Sequence, residues 1–198
     1  GIRDVERSRG LGDVYKRQVL VADMPNTRPQ IRSFNVLKEK IKSLKEKCIV
    51  DYLVYVGVPS RIEEADSLLS EKKVAGLKVY PEDYHSPILG ECVSKSLEKR
   101  KLVVVHPEHP ECLRETTVPG MRWRYRPLRA ELESVAYFQE KFGNMISGIH
   151  FTHITSFETA VRARALGATV DTCPHYVLLN NSYEKEYGCY GKVNPPLR

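Results

Sequence analysis

The stretch Val74-Ala-Gly-Leu-Lys-Val-Tyr80 decides the fold, because it carries a lysine inside an apolar run. Residues 75–79 are typical of a buried strand, and a lysine in such a strand usually extends its ammonium group to solvent. Two later apolar runs, Leu102-Val-Val-Val-His106 and Ile149-His-Phe-Thr-His153, end in histidine. Three successive strands therefore each have a potential metal-binding group at the carboxyl end, which is where α/β barrels build their sites.

Strands and helices alternate on both sides of this stretch. The predicted strands cover 19–22, 49–58, 75–79, 102–106, 146–153 and 168–172. The predicted helices cover 31–47, 61–71, 88–100, 128–142 and 156–166. This order is typical of parallel βα units, arranged either as an open doubly wound sheet or as a (β/α) barrel.

Functional groups at several strand ends favour the barrel, and no glycine-rich nucleotide-binding loop follows any predicted strand. A complete barrel has eight strands, so the six predicted here leave it incomplete. Between the strands, Ser60 with Glu63 three residues later predicts a capped helix start. The long stretch 107–127 predicts a functional or disordered loop, and 173–198 reads as a loop-like tail.

Composition excludes several classes of protein. The 198 residues are 41% hydrophobic and 28% charged, as in an ordinary soluble domain, and no apolar run approaches the about 20 residues that cross a bilayer. The net charge of +6 is spread along the chain and gives no nucleic-acid footprint. Five cysteines without a C-x-x-C pair favour reduced thiols and a cytoplasmic location. Residues 1–18 lack clear periodicity, so we expect a non-native or disordered leader before a domain at 19–198.

Six short motifs carry a resemblance to a known family. In chain order they are Asp23-Met-Pro-Asn-Thr-Arg-Pro29, Gly76-Leu-Lys-Val-Tyr80, His106-Pro-Glu108, His153-Ile-Thr-Ser156, Cys173-Pro-His175 and Val193-Asn-Pro-Pro-Leu-Arg198. In this order and spacing they resemble dihydroorotases, which belong to the cyclic amidohydrolase branch of the amidohydrolase superfamily. Dihydropyrimidinases and allantoinases are less similar at 24–27 and 193–198. The resemblance covers residues 19–198 and implies an α/β fold, a TIM-type (β/α)8 barrel of which strands two to seven are present.

The resemblance implies a reaction, the reversible hydrolysis of the cyclic amide of dihydroorotate to N-carbamoyl-aspartate in pyrimidine biosynthesis. Family members use two divalent ions, usually Zn²⁺, to make hydroxide available near neutral pH. By resemblance, Lys78 is carboxylated by CO₂ and bridges both ions as a catalytic metal ligand, a modification that needs the neutral amine favoured by burial. His106 and His153 are the implied imidazole ligands of the second ion.

Four further residues match family positions that contact the substrate: Asn26, His175, Asn194 and Arg198. From the residues alone, Asn26 could equally be a turn residue. The alternative for Asn194 is an ordinary loop asparagine, and Arg198 is a terminal residue of the kind that often frays. Tyr176 stands where the family has a second histidine. Three histidines match no ligand position and are expected to be ordinary: His85, His109 and His150.

The family also carries a His-x-His-Leu-Arg motif on its first barrel strand and an aspartate on its eighth, and neither is recognised in this sequence. We therefore expect the 198-residue chain by itself to be inactive. Two alternatives stay open: a different cyclic amidohydrolase, and a non-catalytic scaffold that docks an aspartate transcarbamoylase. The expected partner is a small-molecule substrate, with a homo-oligomer as a further option and no role for nucleic acid or membrane.

Overall fold

The structure, a computed structural model, describes residues 19–198. These residues contain six β-strands, and the sheet order follows chain order: β1 (Leu20–Asp23), β2 (Asp51–Gly57), β3 (Val74–Val79), β4 (Leu102–Val105), β5 (Ile149–Phe151) and β6 (Thr169–Val170). β1 pairs with β2, β2 with β3, and β5 with β6, all in parallel. Consecutive parallel strands placed side by side are what successive βα units of a barrel produce, so the predicted fold class is confirmed. The predicted leader at 1–18 lies outside the described residues.

The same part of the chain contains eight α-helices: α1 (Phe34–Lys47), α2 (Ile62–Ser70), α3 (Leu89–Glu98), α4 (Arg122–Tyr125), α5 (Arg129–Phe142), α6 (Phe157–Ala165), α7 (Pro174–Leu178) and α8 (Asn181–Tyr187). α1 shows why these segments form helices, because its buried residues Leu37, Lys40 and Leu44 recur at a helical spacing. Lys45 and Lys47 lie in its last turn, where positive charge complements the helix dipole. None of the helices described is long and apolar enough to cross a membrane.

The described residues divide into two compact units. The first extends through Val79 and resumes at Ser86–Val103, and the second comprises Tyr80–His85 and Val104–Arg198. Each unit has its own apolar core. The buried side chains of the first include Val54, Val56, Leu68, Leu69 and Leu77. Those of the second include Val105, Phe138, Ile149, Phe151 and Ala163.

Gly76 permits a close backbone approach within the first unit. A Cβ atom at this position would lie 1.9 Å from the carbonyl oxygen of Leu102, so only glycine fits there. Lys101, next to Leu102, also holds the start of β3. Its Nζ donates to the carbonyl oxygen of Glu71 at 3.2 Å and to that of Val74. Five of the six residues of β3 are buried, as expected of a strand covered on both faces.

The predicted helix cap at Ser60 is wrong by one residue. α2 begins at Ile62 after Arg61, which has an extended backbone and makes no side-chain cap hydrogen bond. Glu63 therefore lies in the first turn of the helix, where its negative charge favours the N-terminus through the helix dipole. A hydroxyl residue near a helix start was mistaken for the cap itself, although the helix is stabilised by charge instead.

The predicted loop-like tail at 173–198 is also wrong, because it contains α7 and α8. These helices are too short to show a clear hydrophobic period, and a local cap marks the second of them. The Asn180 side chain accepts a hydrogen bond from the backbone N–H of Ser182 at 3.0 Å. The stretch 107–127 was predicted to be a functional or disordered loop. A hydrogen bond within it joins the backbone N–H of Arg114 to the carbonyl oxygen of Tyr125 at 2.8 Å.

Candidate metal centre

His106 and His153 meet in the second unit. His106 directly follows β4, and His153 lies two residues after β5. The backbone N–H of Thr152 donates to the carbonyl oxygen of Val105 at 3.1 Å, which aligns the two strand ends. Nδ1 of His106 and Nε2 of His153 are 3.0 Å apart, with the ring centroids 4.5 Å apart.

This nitrogen pair suits a shared cation. Two imidazole nitrogens on one tetrahedral zinc ion, each about 2.0–2.1 Å from it, lie about 3.3 Å apart. The observed separation of 3.0 Å is close to that value. Within residues 19–198, however, no group of three His, Cys, Asp or Glu side chains could hold a metal ion. Because a catalytic zinc normally takes three protein ligands, the histidine pair alone is not a complete zinc site.

Asp171 fixes the backbone that carries His153. His153 has a φ of +46°, in the left-handed region that side chains other than glycine rarely adopt. The Asp171 carboxylate, directly after β6, accepts the backbone N–H of His153 at 2.5 Å and the Thr152 hydroxyl at 3.0 Å. His150, predicted to be ordinary, contacts the same carboxylate through Nε2 at 2.9 Å. Burial raises the pKa of Asp171, but these hydrogen bonds outweigh burial and lower the pKa to about 2.

Glu108 supports His106 from the side opposite His153. Its carboxylate is fully buried, and its Oε2 lies 2.8 Å from Nε2 of His106. Arg126 binds the same carboxylate through two donors, from Nε to Oε1 at 3.1 Å and from Nη2 to Oε2 at 2.6 Å. Burial raises the pKa of Glu108, yet the hydrogen bonds and charges of His106 and Arg126 outweigh it and bring the pKa to about 2. A carboxylate behind a metal-binding histidine is a common arrangement that orients the imidazole.

Glu108 is expected to make the stability of the chain depend on pH. Its pKa falls from a usual 4.5 to about 2 on folding, so between these values the unfolded chain binds a proton that the folded chain does not. The stabilisation is present above pH 4.5 and is lost as the pH falls to about 2; a shift of this size is worth roughly 3 kcal/mol. Urea unfolding at several pH values measures it, with Glu108→Gln as the variant that lacks the titrating group. Parallel pH curves for the two proteins would contradict this expectation.

A second buried carboxylate holds the loop after His153. Glu131 in α5 is fully buried and accepts the Thr155 hydroxyl at 2.5 Å and the Thr155 backbone N–H at 3.2 Å. Arg198 donates from Nε to the Thr155 hydroxyl at 2.6 Å and from Nη1 to the carbonyl oxygen of Arg126 at 2.9 Å. Its Nη2 lies 3.6 Å from Glu131. Burial raises the pKa of Glu131, and Thr155 and Arg198 oppose that rise.

The other predicted substrate residues lie in different surroundings. Arg122 donates to the carbonyl oxygen of Val193 at 2.8 Å and to the side-chain oxygen of Asn194. His175 is half-buried in α7, with its ring centroid 4.2 Å from that of Tyr176. Asn26 is exposed in the loop after β1 in the first unit. Their contact with a substrate stays a prediction, as does that of Arg198, whose guanidinium is held by protein groups.

Lys78 is the second-to-last residue of β3 in the first unit. Only 3% of its surface is exposed, and its neighbours Leu77 and Val79 are also buried. The ordinary alternative for a strand lysine, an ammonium group that reaches solvent, therefore does not describe it. Its convergence with His106 and His153 stays a prediction.

The supporting residues around the histidines were not assigned roles from the sequence. Glu108 carried a usable signal, because an acid two residues after a strand-terminal histidine lies close enough to support the ring. Arg126 and Asp171 carried no such signal, since Arg126 reaches Glu108 and Asp171 reaches the backbone of His153 only through tertiary structure.

Comparisons with known proteins show what the chain is similar to. No family model matches it. A dihydroorotase of Aeropyrum pernix is 38% identical over 185 residues, which are 90% of this chain and 43% of that protein. A dihydroorotase of Sulfurisphaera tokodaii is 36% identical over 179 residues, again 90% of this chain and 40% of that protein. The chain thus spans less than half the length of these curated relatives.

Solved structures agree on the fold. An L-hydantoinase (dihydropyrimidinase) from Arthrobacter aurescens superposes with a TM-score of 0.76 at 17% identity, and the match covers 91% of this chain and 45% of that one. At this identity the likeness shows the fold alone, an incomplete barrel of consecutive βα units. On the sequence likeness to these relatives, the chain is a dihydroorotase-like amidohydrolase.

Proposed function

We propose that this chain provides one half of the metal site of a zinc-dependent dihydroorotase. The full-length protein would reversibly hydrolyse dihydroorotate to N-carbamoyl-aspartate in the cytoplasm. The observation that carries the proposal is the histidine pair, in which Nδ1 of His106 and Nε2 of His153 lie 3.0 Å apart at the ends of consecutive strands. The dihydroorotase relatives at 38% and 36% identity support the choice of substrate.

The proposed role of each residue follows from its position. When bound, two Zn²⁺ ions supply hydroxide near neutral pH. His106 and His153 would hold one ion, while Lys78, carboxylated by CO₂, would contribute oxygen to both. Glu108 and Asp171 hold the two histidines in place through the ring and the backbone, respectively.

We assign substrate recognition to residues whose polar atoms do not hold the two histidines. Asn26 and Asn194 are both exposed, and their amides suit the ring and carboxylate oxygens of dihydroorotate. His175 is the third proposed contact. For Arg198, the hydrogen bonds to Thr155 and Arg126 favour a role in holding the loop after His153 over direct contact with substrate.

The test is a substrate panel on the full-length protein with added zinc. We expect kcat/KM for dihydroorotate to exceed that for hydantoin, dihydrouracil and allantoin by at least about 10²-fold, because polar groups matched to one substrate are left unpaired by the others. The 198-residue chain is the control and is expected to show no turnover, since two histidines are an incomplete ligand set. Equal or greater activity on hydantoin or dihydrouracil would overturn the assignment.

The second candidate is a cyclic amidohydrolase with another substrate, and the same panel separates the two. A non-catalytic scaffold that docks an aspartate transcarbamoylase is distinguished by metal content. Full-length protein without bound zinc and without turnover on any of the four compounds would favour the scaffold.

A further inference from the structure

We propose that Glu108 is a positioning residue that sets the tautomer of His106. In this tautomer the proton is on Nε2, and the unprotonated Nδ1 faces His153. The use of that bare nitrogen as a metal ligand rests on the proposed function, whereas the tautomer itself follows from the contacts of Glu108. Three of these contacts define the argument: one to His106 and two to Arg126.

Arg126 makes the carboxylate an acceptor. The Nε and Nη2 atoms of its guanidinium donate to the two oxygens of Glu108, at 3.1 and 2.6 Å. Such bidentate pairs form with an ionised carboxylate. The other acid near the guanidinium is Glu115, whose Oε1 is 3.6 Å from Nη1 and whose side chain is 89% exposed. Because Arg126 is itself 9% exposed, its buried countercharge is Glu108. A neutral Glu108 would leave a buried cation unpaired, which is strongly unfavourable.

The tautomer follows from this acceptor. An ionised carboxylate has no proton to give, so the 2.8 Å contact between its Oε2 and Nε2 of His106 requires the proton on Nε2. In a neutral imidazole the other nitrogen then has a free lone pair. That nitrogen, Nδ1, is the one that lies 3.0 Å from Nε2 of His153.

This arrangement also assigns the proton between the two rings. Since Nδ1 of His106 is an acceptor, Nε2 of His153 must donate to it in the metal-free chain. His106 is therefore already in the form that a cation requires, and His153 is the ring whose proton has to move when a cation binds. The nitrogens that face each other therefore differ: Nδ1 of His106 is unprotonated, whereas Nε2 of His153 carries a proton.

The experiment is long-range ¹H–¹⁵N NMR of the ¹⁵N-histidine-labelled chain at about pH 8, which distinguishes the two neutral tautomers. His106→Asn assigns the signals. We expect the wild-type ring to be protonated at Nε2 only. Glu108→Gln should raise the share of the Nδ1-protonated form, because an amide offers a donor as well as an acceptor. Glu115→Gln makes the same change on the exposed neighbour of Arg126 and should leave the spectrum unchanged.

An Nδ1-protonated or doubly protonated His106 in the wild-type chain would overturn the inference, as would an unchanged tautomer in a folded Glu108→Gln variant. Circular dichroism shows whether that variant is folded, and if it is not, the wild-type spectrum alone decides. The proposed function fails separately: an Nε2-protonated His106 in a full-length protein that neither binds zinc nor hydrolyses dihydroorotate would remove the function and keep the tautomer.

Discussion

Full-length protein carrying Lys78→Ala is expected to lose both its metal and its activity on dihydroorotate. Lys78 is 3% exposed near the end of β3, and burial favours the neutral amine that must attack CO₂. As the proposed bridge between both ions, it should matter more than a residue that merely supports a ligand, whose loss typically costs about 10–100-fold in metal affinity or activity. We therefore expect kcat/KM to fall by more than about 10²-fold, with zinc content measured on the same samples.

Lys72→Ala is the matched control, because this exposed lysine precedes the same strand and should retain both zinc and activity. Short carboxylic acids added to Lys78→Ala are expected to restore part of the activity by supplying the missing oxygen ligands. Wild-type turnover in Lys78→Ala would exclude the carboxylated-lysine role while leaving the histidine pair intact.

The largest loss of stability is expected from Gly76→Ala. The added Cβ would lie 1.9 Å from the carbonyl oxygen of Leu102, and a backbone atom in the neighbouring strand cannot rotate away as a side chain could. The free energy of unfolding should therefore fall by about 3 kcal/mol or more, at or above the upper end of ordinary overpacking. Urea unfolding of the 198-residue chain measures the change.

Gly90→Ala provides the control within the same unit. A Cβ at Gly90 would meet no atom within 4 Å, and alanine in the α3 helix is favoured over glycine by about 0.5–1 kcal/mol. The two substitutions add the same methyl group and are expected to shift the unfolding midpoint in opposite directions. A midpoint for Gly76→Ala that matches wild type would show that β3 and β4 separate more easily than their contact distance indicates.

The sequence was sufficient to predict the parts of the fold that depend on short-range pattern. The apolar runs that end near Lys78, His106 and His153 marked three strands, and the structure has all three. The pairing of His106 with His153 was also within reach, because parallel strands bring their carboxyl ends to one edge of a sheet.

Other features depend on contacts that no local pattern records. Arg126 reaches Glu108 across 18 positions of sequence, and Asp171 reaches the backbone of His153 across the same number. α8 was missed because seven residues give too few turns for a hydrophobic period. Ser60 misled because a hydroxyl residue before a helix is a frequent cap but not an obligatory one.

The single turn of α4 also bears on how related chains can differ in length. Arg122 begins it and Arg126 follows one turn later, with the backbone N–H of Arg126 donating to the carbonyl oxygen of Arg122 at 2.8 Å. One guanidinium holds Asn194 and the other holds Glu108. Because each helical residue turns the chain by about 100°, one inserted or deleted residue would take an arginine away from its partner. Natural insertions and deletions should therefore fall outside 122–126, and this turn should keep a constant length.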